Sequence, residues 1–255
     1  MPESFEELTS VILQKNSKDD DYLYPKVWRG QADISWRIDS SGYRRIINEV
    51  KPYRVTDNFE KELRFYESQL LKHATHQGYR FHNGRMLSDF ELLAKLQHHG
   101  AATRLVDFTR NALVALWFAC SNLEVEMGLL IGIHTNSLGG TESSPMTETY
   151  LEVVKSIEKY NHSLVYESPS ISPRIAAQHA QFLYSTVSNE SYSSLKLDDN
   201  KGYRTFIAIS PQLKKESLHI LEMVYDYRTI TLFPDLDGFG MANNFKIEPH
   251  RMSRW

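Results

Sequence analysis

Leu8, Val11 and Ile12 recur on one helical face behind Ser4 and Glu7, which have the spacing of a capping box, and this predicts a first helix near residues 4–15. The polar run from Asn16 to Tyr22 reads as a loop. Val27, Trp28, Arg29 and Gly30 alternate loosely and predict a strand ending at the glycine, with a second strand near 34–38. Phe59, Leu63, Tyr66 and Leu70 follow Asp57 and Glu60 at helical spacing and predict an amphipathic helix over 58–76. Ser88 and Glu91 repeat the start signal before Leu92, Leu93 and Leu96, and Gly100 is placed to end that helix. Residues 104–108 form a short apolar run interrupted by Asp107. From Asn111 to Cys120 the apolar residues cover nearly every face, so this helix belongs in the interior.

The second half reads differently. Residues 128–134 predict a core strand, and 135–147 an exposed loop insertion. Residues 149–160 predict a helix, and Pro169 and Pro173 punctuate the loop after it. Residues 182–187 and 205–209 predict strands, and Ser210 and Pro211 start a helix as N-cap and first residue. Thr229–Phe233 predicts a last strand, followed by a turn over 234–240. Helices gathered first and strands later predict an α+β fold: a mixed or antiparallel core sheet with surrounding helices. The expected organisation is an N-terminal helix and loop over 1–21, one domain over 22–240, and a tail over 241–255.

Composition narrows the function classes. With 29 Lys and Arg against 32 Asp and Glu in 255 residues, the net charge of −3 argues against coating nucleic acid through bulk charge. A local basic groove stays compatible with it. The single cysteine, Cys120, excludes an intramolecular disulfide and a cysteine-rich zinc site, and fits a reducing cytosol. The N-terminus is acidic where a signal peptide needs a basic region, and no apolar run approaches the roughly 20 residues of a membrane span. A cytoplasmic protein without membrane contact is expected. No phosphate-binding P-loop, zinc-protease helix or serine-hydrolase elbow is present.

Candidate chemistry lies in polar groups embedded in apolar strands and turns. Arg29, between Trp28 and Gly30, can aim its fork into a cleft, and Gly30 lets another group approach the backbone. Gln31 follows directly. His98 and His99 are adjacent at a helix end, not at the spacing that puts two ligands on one helix face, so a helix C-terminus explains them better than a metal. Asp107 needs a partner, for which Arg29 and Arg104 are the candidates. Thr109 serves either to cap the next helix or to touch a ligand at its start. Gln178 precedes a strand with an amide able to donate and accept. Asp235 and Asp237 beside Gly238 suit a turn.

Taken together, Val27–Gln31, Lys95–Cys120, Ser172–Leu183 and Thr231–Gly240 resemble the FRG domain family, named for a Phe–Arg–Gly motif in which Trp28 here replaces the phenylalanine. The resemblance spans about residues 22–240, with Ala180 standing where members often carry glycine. A weaker resemblance, to ADP-ribosyltransferases of the arginine–serine–glutamate type, rests on Trp28–Arg29–Gly30 and on Asp107–Phe108–Thr109 leading into Val114–Ala119. It implies NAD as co-substrate and a protein or nucleic-acid acceptor. By family context it further implies a toxin or phage-defence effector, with a possible inhibitory partner protein.

That resemblance assigns catalytic roles to Arg29, Thr109 and Gln178, and nucleotide contacts to Arg29, Gly30, Gln31, Arg104, Asp107 and Thr109, with no metal. Gln178 falls where such transferases present a glutamate, and a glutamine cannot supply the negative charge. Glu167, Asp235 and Asp237 are the other acids nearby in sequence. The alternative is a non-enzymatic nucleotide-binding or interaction module in which the Arg, Asp and Gln groups are structural. A hydrolase or nuclease using His98 or His99 as general base is the third reading.

Overall fold

A computed structural model describes residues 1–13, 25–50, 58–134, 138–141, 146–188, 190–197 and 203–244. The loop expected over 16–22, Asp57, most of the 135–147 loop and the tail beyond Asn244 lie outside the described residues. The fold is α+β. Its seven-stranded sheet contains β1 (Val27–Gln31), β4 (Val106–Thr109), β5 (Gly128–Ile133), β6 (Gly139–Thr141), β7 (Leu164–Tyr166), β8 (Ala180–Tyr184) and β9 (Arg204–Ile209). Their order across the sheet is β6-β7-β8-β4-β1-β5-β9, antiparallel throughout except for β6 beside β7. A separate hairpin, β2 (Phe81–His82) with β3 (Arg85–Met86), turns at Asn83 and Gly84, both at positive φ.

The helices are α1 (Phe5–Ile12), α2 (Ser41–Val50), α3 (Phe59–His76), α4 (Asp89–His98), α5 (Ala112–Cys120), α6 (Tyr150–Ser156), α7 (Pro173–Ala177), α8 (Pro211–Met223), α9 (Thr229–Leu232) and α10 (Leu236–Ala242). Their starts follow the predicted chemistry. Ser4, Ser88 and Ser210 accept backbone N–H bonds as N-caps, and Ser88 with Glu91 forms a complete capping box. Helix α3 is capped by Asn58. Its buried stripe is Leu63, Glu67, Leu71 and Ala74, so Tyr66 and Leu70 fall on the flank.

Three sequence expectations are corrected. Residues 34–38 form no strand, and only Ile38 makes an isolated bridge, to Ser193. Thr229–Leu232 is a helical turn, because the Thr231 hydroxyl accepts the Arg228 N–H and donates to the Asp226 and Arg228 carbonyls, closing the chain locally. The expected turn at 234–240 continues into α10, with Asp235 accepting the Gly238 N–H as N-cap.

Helix α5 lies against β1, with Val114–Trp117, Ala119 and Cys120 buried as its apolar surface requires. A methyl group on Gly30 would lie 1.8 Å from the Ala115 carbonyl oxygen and 2.6 Å from the Ala119 nitrogen. The glycine therefore admits the helix backbone. Cys120 ends α5 in the core, and burial pushes its thiol up to about 12. Beyond it, the buried Lys214 of α8 donates to the carbonyls of Ala32 (2.5 Å), Leu123 (2.9 Å) and Asn122 (3.3 Å). Burial among neutral oxygens lowers its pKa.

A second buried cation is held by acids. Arg104, 1% exposed, donates through Nε to Glu67 at 2.6 Å, through Nη2 to Tyr150 at 2.8 Å, and through Nη1 to Glu60 at 3.2 Å. Tyr150 also donates to Glu67, and Glu67 accepts the Arg104 N–H as well. The network joins α3, α6 and the entry to β4.

Two outcomes are expected. Gly30→Ala should destabilise the fold by about 3 kcal/mol, since the clash is with backbone and α5 must shift as a unit; equilibrium urea unfolding reads this. Glu67→Ala should cost about 3–5 kcal/mol by leaving Arg104 buried and unpaired, while Glu67→Met with Arg104→Met should recover much of the loss. Equal destabilisation of the single and double variants would contradict it.

Candidate functional site

Strands β1 and β4 are neighbours in the sheet but pair only at Trp28 and Thr109. Continued register would set Arg29 opposite Phe108 and Gly30 opposite Asp107, yet neither pair forms. The strands splay there. Arg29 reaches across the gap, and its Nη1 donates to the Asp107 carbonyl oxygen at 2.8 Å. A cavity of about 300 Å³ occupies the opening, within the size range of small-molecule sites.

Beside Arg174, Arg29 is the second cation lining this cavity. Among the described residues it forms no ion pair, and its Nε is buried without a hydrogen-bond partner. Burial lowers its pKa, the charge of Asp107 raises it, and that of Arg44 lowers it. A guanidinium so basic stays charged at neutral pH. Asp107 faces the same cavity and is exposed to it. Its carboxylate accepts from Gln97 Nε2 at 2.5 Å, and the Thr103 hydroxyl donates to the other end of that amide, fixing which way it points. Arg29 thus contacts the backbone of residue 107, and the carboxylate keeps free acceptor capacity.

Thr109 is placed by β4. Its hydroxyl donates to the Gln178 carbonyl at 2.6 Å and accepts the Asn111 N–H at 3.0 Å. The cap of α5 is Asn111, whose side chain accepts the N–H groups of Leu113 and Val114. Gln178 ends α7, and His179 at φ 47° turns the chain into β8. The Gln178 amide donates to the Leu232 carbonyl at 2.9 Å. Thr109 and Gln178 both line the cavity.

The remaining wall is aromatic and basic. Trp28, Phe118 and Phe233 line it, with Phe118 edge-on to Phe233 at 6.0 Å. The Arg174 guanidinium lies 5.2 Å from the Phe233 ring centre, donates to Asp235 through Nε and Nη2, and reaches the His98 carbonyl at 2.8 Å. Asp235 is held below the usual carboxylate range by Arg174. His98 lines the cavity with its Nδ1 3.5 Å from the Ser172 hydroxyl. Burial lowers its pKa, with Asp107 opposing and Arg174 adding, which favours the neutral ring.

The structure therefore brings Arg29, Gly30, Asp107, Thr109 and Gln178 to one cavity. Gln31 is buried elsewhere, donating to the Arg37 carbonyl at 3.3 Å. Arg104 precedes β4 and is buried in the Glu67 network. It is therefore not the partner of Asp107, and Gln97 takes that place. Glu167 pairs with the exposed Arg110, and Asp237 with Arg174. Asp107 is the one acid lining the cavity among the described residues. The sequence did not single out Phe118, Arg174 or Phe233, because they meet only through the packing of α5, α7 and the α9–α10 segment.

Among the described residues no cluster of three or more His, Cys, Asp or Glu is placed to hold a metal ion, and no helix is long and apolar enough to cross a membrane. No curated protein and no solved structure matches the chain. A family model does match residues 25–127, which contain Arg29, Gln97, His98, Asp107 and Thr109 but neither Arg174 nor Gln178. The matching model is that of the FRG domain, and the strand with Arg29, the strand with Asp107 and Thr109, and the interior helix behind them all lie within the matched residues.

Proposed function

We propose that the split between β1 and β4 binds an anionic nucleotide, with NAD as the co-substrate of an ADP-ribosyltransferase or NAD glycohydrolase reaction. The observation that carries this reading is Arg29: a half-buried guanidinium that forms no ion pair among the described residues and whose Nε is buried without a hydrogen-bond partner, at the edge of an aromatic-walled cavity. Structural arginines elsewhere in the fold pair with carboxylates, as Arg104 and Arg174 do. An unpaired cation in such a place is suited to a phosphate, which accepts two parallel N–H bonds from the fork.

The aromatic wall of Trp28, Phe118 and Phe233 provides a face for a planar base. The group that supplies negative charge is assigned to Asp107 rather than Gln178, whose amide is neutral and already donates to Leu232. In the reaction the bond between the nicotinamide nitrogen and ribose C1′ breaks. Its electron pair leaves with nicotinamide, and positive charge develops on the ribose. A carboxylate held in place by Gln97 stabilises that charge as it forms. The acceptor oxygen or nitrogen, or water, then bonds to C1′ and loses a proton. Thr109 supports the arrangement by tying Gln178 to the start of α5.

A second reading, recognition without chemistry, is favoured by one observation: among the described residues no glutamate lines the cavity. The two part company in one experiment. Calorimetry with NAD and a nicotinamide-release assay would be run on the wild type, Arg29→Ala and Asp107→Asn. Arg29→Ala should weaken NAD binding at least tenfold. Asp107→Asn should keep binding within a few-fold and slow release by about 10²–10³-fold. Wild-type binding without release selects the recognition module. No binding near millimolar NAD overturns the nucleotide reading.

A further inference from the structure

A second cavity, of about 160 Å³, adjoins the first and shares Arg29, Gln97 and Asp107 with it. Its outer wall is formed by Ser41 and Arg44 of α2 and by Asp39. Arg44 is exposed and forms no ion pair among the described residues. Its charge is close enough to Arg29 to lower the pKa of that group. Asp39 does not compensate it, because its carboxylate is taken by Arg37 at 3.0 and 3.3 Å. Ser41 is likewise engaged, with its hydroxyl accepting the Thr103 N–H at 3.0 Å. Two guanidinium groups thus line one cavity together with Asp107, whose carboxylate is not ion-paired, and Asp39, whose carboxylate is.

Like charges brought together cost energy unless an anion joins them. One phosphate satisfies Arg29 alone, whereas two linked phosphates place an anionic oxygen set before each arginine. Asp107, with acceptor capacity left beside Gln97, is suited to a ribose hydroxyl adjoining the phosphates. We propose that Arg44 and Arg29 together form a diphosphate-reading site, so that the ligand class is a nucleoside diphosphate with a ribose attached, and a mononucleotide is bound as a fragment of it. This rests on the nucleotide reading above and adds Arg44 to the groups that read the ligand.

The test is calorimetry with AMP, ADP and ADP-ribose on the wild type, Arg44→Ala, Arg44→Lys and Arg29→Ala. The wild type should bind ADP-ribose and ADP at least tenfold more tightly than AMP. Arg44→Ala should abolish that preference, weakening ADP-ribose about tenfold while AMP stays within twofold. Arg44→Lys should restore part of it, as a single-point cation replaces a fork. Arg29→Ala should weaken all three ligands. Arg44 is exposed, so an unchanged melting temperature will show that its variants fold. If Arg44→Ala leaves ADP-ribose untouched, or weakens AMP equally, the diphosphate site is overturned while Arg29-dependent binding still supports the nucleotide reading. If the wild type binds none of the three, both fall together.

Discussion

Everything at the opening between β1 and β4 depends on how closely α5 lies on the sheet. That distance is set by one missing methyl group, at Gly30, beneath the backbone of Ala115 and Ala119. With the helix seated, its N-cap Asn111 is fixed, and with it Thr109 at the end of β4. Thr109 holds the carbonyl of Gln178, which brings α7 and the α9–α10 segment over the cavity. One backbone contact thus sets the positions of three walls. The glycine of the motif acts on the fold as much as on any ligand.

The fold contains buried and half-buried cations of two kinds. Arg104 and Arg174 are locked by carboxylates, and each ties separate segments together. Arg29 and Lys214 are met by backbone carbonyls instead. Lys214 uses three of them and is sealed beneath α8. Arg29 uses one, keeps a donor without a partner, and opens onto space. The difference is one of saturation. A cation whose donors are filled is part of the scaffold, and one whose donors are not is prepared for something that arrives later.

The helix starts were legible because capping is local: Ser4, Ser88 and Ser210 act within three residues of themselves. The interior course of α5 was legible because apolar residues cover its whole surface. Thr229–Leu232 was not, since its β-branched residues suggest a strand and only the closure through Thr231 makes it helical. The partner of Asp107 was misread for a related reason. Arg104 is near in sequence, but it precedes β4 and its guanidinium is taken up by Glu67, Glu60 and Tyr150, while Gln97 arrives from α4. Nothing local announces Phe233 or Arg174, which reach the cavity only after α7 and α9 have docked.

Cys120 has a practical consequence. It is the sole sulfhydryl of the chain and lies in the core at the end of α5, held protonated by its surroundings. Alkylating reagents act on accessible thiolates, so this side chain is silent while the protein is folded. A cysteine introduced on the rim of the opening is then the sole reactive position. A fluorophore attached there reports occupancy of the cleft directly, against a dark background and without removing the native cysteine.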